Sequence, residues 1–179
     1  MTPFYSIGSR DFWIDLASAS GGNVDLGKIL QVVSSFKNDT ASVTGTTATD
    51  TGLSCTITPS DTANKIFITT TLNIGPDVND TAYLFCDRNG STIGAGTGGT
   101  TDVASAYYPN AYGSSGFVNL HSGVMSWSYL DSPSSTSALT YKITFSGQSA
   151  TETIYLNRRA NNTVFVGSSS LTVFEVDGT

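Results

Sequence analysis

The sequence predicts an all-β protein: an antiparallel, jelly-roll-like β-sandwich behind a short N-terminal arm, with room for one short helix in that arm. Three observations predict this class. Of the 179 residues, 25 are Ser and 26 are Thr, and both residue types are poor in helix interiors. Apolar and polar residues alternate through most of the chain. Most of the polar connections between the alternating runs are short and leave little room for the crossover helices that parallel sheets require.

The first 27 residues form the N-terminal arm, and residues 28–179 form the sandwich domain. Six large apolar side chains crowd the arm, namely Phe4, Tyr5, Phe12, Trp13, Ile14 and Leu16. Ser9 can cap a short helix over residues 10–19, which Gly21 and Gly22 would end. One short helix cannot bury so much aromatic surface by itself. The arm therefore either folds back on its own domain or docks on a neighbouring subunit.

Eight strand-like runs follow the arm. In order, they cover residues 28–35, 53–58, 65–74, 83–89, 117–130, 139–147, 153–158 and 169–176. The third run alternates most strictly, because every second residue from Ile66 to Ile74 is apolar or Thr. The fifth alternates in two pieces, and the sixth places every second residue from Leu139 to Phe145 on one face. Turn-forming residues separate the runs, so we expect antiparallel sheets with one buried and one solvated face.

The segment 94–115 departs from this pattern, because Gly, Thr, Ala and Tyr dominate it. It is either a large surface loop or a set of weak edge strands. Tyr107, Tyr108 and Tyr112 lie in it, and such rings suit a sugar or a protein partner. The alternative is that these rings pack the segment onto its own sandwich.

Catalytic residues are not predicted. His121 is the only histidine, and because no acid is close to it in sequence we interpret it as structural. The run from Gly94 to Gly99 lacks the Lys and the following helix of a phosphate-binding loop. Asp77, Asp80 and Asp87 offer oxygen ligands, but their spacing matches no calcium loop. We expect neither a metal nor a cofactor.

Charge and hydropathy exclude two classes of partner. The chain has eight Lys and Arg residues and a net charge of −6, too few cations for phosphate-driven nucleic-acid binding. No run approaches the roughly 20 apolar residues of a membrane span. Cys55 and Cys86 each lie in a strand-like run, which favours two buried thiols and leaves a single bridge open.

The order of short fragments along residues 28–177 resembles a β-rich domain of tailed-bacteriophage structural proteins, often found at the end of a tail fibre. The fragments that carry the resemblance are the residue runs 27–33, 51–53, 56–60, 64–66, 88–91, 130–133, 140–142, 155–158 and 171–175. Each fragment is short, and their fixed order makes the likeness specific.

The resemblance implies a homotrimeric sandwich on the virion surface, without catalytic residues. Fibres place this module after a long shaft, whereas only 27 residues precede it here. The expectation is therefore a capsid cement (decoration) protein that binds the major capsid protein, with the arm as its attachment device. A tail-fibre tip that recognises a host receptor, through the segment around Tyr107, Tyr108 and Tyr112, is the alternative. An enzyme such as a polysaccharide hydrolase is the least favoured reading.

Overall fold

The computed structural model describes residues 27–76, 81–108, 122–160 and 162–178. These residues form eleven strands and no helix. The strands are β1 (Ile29–Lys37), β2 (Ala41–Thr44), β3 (Thr49–Ile57), β4 (Lys65–Pro76), β5 (Ala82–Arg88), β6 (Ser91–Ile93), β7 (Ser105–Tyr107), β8 (Gly123–Asp131), β9 (Leu139–Gly147), β10 (Thr153–Leu156) and β11 (Ser169–Val176). All pairings are antiparallel, in one six-stranded and one five-stranded sheet, which confirms the predicted antiparallel sandwich.

Each of the eight predicted runs overlaps a strand, and residues 117–121 of the fifth run lie outside the described residues. The sequence pattern missed β2, β6 and β7, because three or four residues are too few to show a period of two. Of the two alternatives for the segment 94–115, β7 supports a weak edge strand over the three residues that it covers. The expected arm and its helix over 10–19 lie outside the described residues.

The six-stranded sheet is built around β4, the longest strand. Ile74 of β4 pairs with Gly123 of β8 and with Leu156 of β10, so these two neighbours lie on opposite edges of β4. β11 pairs with residues 65–71 of β4 on the edge that β10 also uses. β10 and β11 therefore lie end to end along one edge. Outside them lie β2 and β1 respectively.

The five-stranded sheet runs β3-β9-β5-β6, and β7 also pairs with β5. Through the longer strands the chain alternates between the two sheets, so neighbours in one sheet come from distant parts of the sequence. The inward residues form one closed core. It is dominated by fully buried Ile and Leu residues with Tyr141 and Phe145. The inward positions predicted on β4 and β9 are buried as expected.

Asn157 lies where β10 ends, and its backbone joins that point to β4. Its φ of 63° is the left-handed conformation that Asn tolerates better than most residues. Its N–H donates to the carbonyl of Asn73 at 2.7 Å, and its own carbonyl accepts from the N–H of Gly167 at 2.7 Å. The residue has no exposed surface, so these backbone groups are satisfied without solvent.

The Asn157 side chain joins the same point to the corner between β1 and β2. Its Nδ2 donates to the carbonyls of Lys37 at 3.0 Å and of Asp39 at 2.8 Å. Its Oδ1 accepts from the Ser169 hydroxyl at 2.6 Å, and that hydroxyl accepts from the N–H of Asn73 at 3.0 Å. We call this set of contacts the Asn157 junction. It fixes the ends of β1, β10 and β11 relative to β4.

Glu175 of β11 is a buried carboxylate held by uncharged donors. Its Oε1 accepts from the N–H and hydroxyl of Ser60 and from Nδ2 of Asn64, and its Oε2 accepts from Nε2 of Gln31, all within 2.6–2.7 Å. Burial by itself would raise the pKa of Glu175. The four hydrogen bonds outweigh burial and lower the pKa from 4.5 to about 2. The carboxylate thus ties the loop after β3 to β1 and β11.

Asn157→Asp should lower the free energy of unfolding by about 3 kcal/mol or more, because it replaces the Nδ2 donor with a buried oxygen that faces two carbonyls. Urea unfolding at neutral pH measures the change. Asn162→Asp is the matched control, since Asn162 uses only its Oδ1, as an acceptor from Arg159 and from the N–H of Val164. Equal losses in the two variants would contradict the junction's role.

Glu175 should make the fold acid-sensitive. A folded-state pKa of about 2 against 4.5 gives stability that is fully present above pH 4.5 and lost as pH falls towards 2. At about 1.4 kcal/mol per unit, the loss approaches 3 kcal/mol. Glu175→Gln should be less stable at pH 7 and should lose little more on acidification, as denaturant midpoints at pH 7, 4 and 2.5 would show. Glu152→Gln serves as control, and an unchanged acid profile in Glu175→Gln would refute the assignment.

Candidate interaction surface

The most buried ion pair among the described residues is structural in character. Arg88 of β5 donates through Nη1 to both carboxylate oxygens of Asp131 of β8 at 2.8 Å, and the Tyr141 hydroxyl donates to Oδ2 at 2.7 Å. Asp131 is buried. Burial and the bond to Asp131 raise the pKa of Tyr141, so its proton stays in place. All three groups are engaged with one another across the two sheets, and they leave no free acid or base.

The outer side of the five-stranded sheet carries the other charged cluster. Lys142 lies 3.1 Å from Asp50, and the Thr92 hydroxyl donates to Asp87 at 2.8 Å. A depression of about 300 Å³ lies beside them, lined in part by Thr140. The Lys142–Asp50 pair is solvent-exposed, and the Thr92 hydroxyl is engaged with Asp87.

The thiols and acids do not assemble into a reactive or metal-binding group within the described residues. Cys55 and Cys86 are both free and buried, which confirms the two-thiol alternative. Burial raises the pKa of Cys86 to about 12, so the thiolate that reacts is scarce at neutral pH. No cluster of three His, Cys, Asp or Glu side chains suited to a metal occurs in this part of the chain. No helix in it is long and apolar enough to cross a membrane.

The outward side of β1, β11, β4 and β8, which we call the outer face, carries a continuous apolar row. Val32 pairs with Phe174, Phe174 with Phe67, and Phe67 with Leu130. The Phe67 and Phe174 ring centroids are 6.0 Å apart, a favourable aromatic contact. Val32 and Leu130 at the two ends of the row are 52% and 53% exposed. A row of this kind on a solvated sheet face is typical of an interaction surface.

Hydroxyl groups fill the rows beside the apolar row. Two successive cross-strand rows consist of Ser34, Thr172, Thr69 and Ser128, and of Phe36, Ser170, Thr71 and Ser126. Phe36 is 66% exposed. Asp and Glu are absent from the outward positions of these four strands, and the only charged residue among them is Lys65, at the start of β4. The outer face is therefore apolar and hydroxyl-rich, and it is nearly uncharged.

The connection between β10 and β11 adds a second exposed apolar group. It crosses over Gly75 of β4 so closely that a side chain there would collide with the carbonyl oxygen of Arg158. Beyond that crossing it exposes Val164, Phe165 and Val166. The Arg159 guanidinium lies 5.7 Å from the centre of the Phe165 ring. We call these four residues the Arg-Phe knob. Aromatic rings and Arg are enriched where proteins bind one another.

Comparison with known proteins leaves the family open. No protein-family model matches the chain, and no curated protein matches its sequence. Among solved structures the fold is similar to the infectious bursal disease virus VP2 subviral particle, with 9% sequence identity and a TM-score of 0.35. The match covers 85% of this chain and 38% of the VP2 chain, so this chain spans well under half of that protein's length. At this identity and TM-score, the likeness carries no information about function.

The structure describes two of the three tyrosines predicted to contact a receptor. The Tyr107 ring packs on Gly123 and against the core, and burial raises the pKa of its hydroxyl. The next residue, Tyr108, is 54% exposed. Tyr112 lies outside the described residues, as do His121 and the six apolar residues of the arm.

Sequence reasoning missed the outer face and the Arg-Phe knob. A signal was present, since Val32 and Phe67 occupy positions that the alternation assigns to the solvated side of their strands. The run Val164–Val166 likewise lies between strands and lacks turn residues. Which of these side chains meet depends on strand register, and register requires the structure.

Arg88→Met should cost about 3 kcal/mol of unfolding free energy, because it leaves the Asp131 carboxylate buried without its cation. Adding Asp131→Asn to that variant should recover part of the loss, which a double-mutant cycle by urea unfolding would measure. Lys142→Met removes the exposed pair with Asp50 and should cost less than about 1 kcal/mol. If Arg88→Met cost no more unfolding free energy than Lys142→Met, the buried role of Asp131 would be contradicted.

Proposed function

We propose that this protein is a non-enzymatic structural protein of a virion surface, and specifically a homotrimeric capsid cement protein that binds the major capsid protein. The observation that carries a binding role is the distribution of exposed apolar side chains. Within the described residues they concentrate on the outer face and the Arg-Phe knob, and the strands of the five-stranded sheet contribute none. The virion assignment rests on the resemblance of residues 28–177 to phage surface modules.

The charges of the described residues also favour a structural role. The most buried acids, Asp131 and Glu175, are fully engaged in contacts that join strands. The exposed Asp50 lies beside Lys142, and the half-buried Asp87 accepts from the Thr92 hydroxyl. In this sandwich the buried carboxylates hold strands together and are not available to a partner. The sandwich meets its partners through apolar contact, which suits a protein that reinforces a shell.

We assign attachment to the capsid to the N-terminal arm. Its six large apolar side chains would each contribute about 1.5–3 kcal/mol if fully buried. The entropy lost on association offsets much of that gain. A trimer would bind through three arms at once, and this avidity would restore the affinity. The Arg-Phe knob offers a second contact of suitable composition.

A receptor-binding fibre tip is the second candidate, because Tyr108 is exposed at the end of β7. The location of the protein on the particle separates the two candidates. A map of the virion with density over the capsid surface supports the cement role, and density only at the end of a tail fibre supports the alternative.

Removing residues 1–22 should leave the folding transition of the sandwich nearly unchanged. It should abolish binding to undecorated capsids, that is, capsids prepared without this protein. Phe12→Ala with Trp13→Ala should cause most of the same loss, because central aromatics commonly cost about 2 kcal/mol or more on truncation. Sedimentation with capsids measures the binding, and the melting temperature measures the fold.

Tyr108→Ala is the control for the arm variants and should bind capsids normally. Two results would contradict the arm's role. If the truncated protein unfolds, the arm belongs to the core of its own domain. If it binds capsids at normal occupancy, the contacts lie on the sandwich, and the Arg-Phe knob becomes the site to change.

A further inference from the structure

We propose that the outer face of β1, β11, β4 and β8 is the surface through which copies of this chain bind one another. The occupant of the apolar row Val32–Phe174–Phe67–Leu130 is the outer face, or an adjoining surface, of a second copy. This inference concerns the purified protein and does not depend on its location on a virion.

The size of the outer face is the first argument. Four strands spaced about 4.8 Å apart, with about eight residues each at about 3.3 Å, give a face of roughly 500 Å². Covering such a face on two copies removes roughly 1,000 Å² from water, which is about the lower limit for a stable specific interface. The face is therefore large enough for a homotypic contact without a further element.

Charge selects a second copy as the occupant. Each copy carries a net charge of −6, so two copies repel one another over most of their surface. The outward positions of these four strands contain no carboxylate, whereas the outer side of the five-stranded sheet carries Asp50 and Asp87. Two copies therefore meet at the lowest electrostatic cost through the outer face.

The chemistry of the rows also fits self-association. Apolar ends on β1 and β8, at Val32 and Leu130, can pack against exposed apolar side chains of another copy. Between them, hydroxyls such as those of Thr69 and Thr172 can both donate and accept, so they can hydrogen-bond to whichever polar row of a second copy they meet. A strongly charged partner would find no complementary charge along these rows.

The test compares lysine substitutions on the two sheet faces of the full-length protein. Light scattering should give wild type a mass of at least twice 18.7 kDa at micromolar concentration. Leu130→Lys and Val32→Lys should each weaken association by roughly tenfold to a hundredfold, because they place an unpaired cation in the contact. Thr56→Lys is the matched control, since Thr56 is exposed on the outward side of β3 and should leave the mass unchanged.

A second measurement guards against variants that merely fold poorly. Leu130→Cys should react more slowly with a maleimide than Thr56→Cys, and should react as fast as Thr56→Cys once dilution separates the copies. The two native thiols are buried and give a low background.

Each outcome decides the proposal. An oligomer that Leu130→Lys dissociates, with a protected thiol at position 130, supports it. A wild-type monomer with a protected thiol means that another segment of the same chain covers the face, which overturns it. A monomer with a reactive thiol assigns the face to a different partner and also overturns it. An oligomer unaffected by both outer-face lysines places the contact elsewhere and rejects it.

Discussion

The architecture depends on one uncharged, fully buried side chain at the end of β10. β4 is paired along one edge by two separate strands, whose facing ends must be joined to each other and to the corner after β1. Asn157 joins them, because its amide and backbone reach β4, the corner after β1 and the first residue of β11 at once. The outer face is continuous across β1 and β11 because these strands pair along most of their length, and the junction fixes the end of that pair.

The chain uses its few charges to fix geometry. Asp131 joins the two sheets through Arg88 and Tyr141. Glu175 holds the loop after β3, and β1, through four neutral donors. Both acids point inward from strands whose outward side chains are apolar or hydroxyl-bearing. Binding surface and stabilising polar contacts therefore occupy opposite sides of the same strands, so a partner can cover one without disturbing the other.

Periodicity predicted the sandwich well and the surface poorly, for one physical reason. Alternation reports which side chains of a strand share a face, and it located the buried positions of β4 and β9 from local sequence. The row from Val32 to Leu130 brings together residues from distant parts of the sequence, and the Asn157 side chain reaches carbonyls 120 and 118 positions away. They follow from register and connectivity, which no local pattern contains. The short strands β2, β6 and β7 were not predicted, because their pairing partners, and not their own composition, make them strands.

The connection that carries the Arg-Phe knob has an evolutionary consequence. Arg158 crosses over Gly75 and the N–H of Gly167 donates to the carbonyl of Asn157, so both ends of this connection are fixed to the sheet. Val164 is 77% exposed between those fixed ends, so exchange or lengthening of the chain there should alter neither the register of β4 nor the core. This protein can therefore change its exposed knob quickly while its scaffold stays constant, and a foreign peptide inserted there would be displayed on a fixed platform.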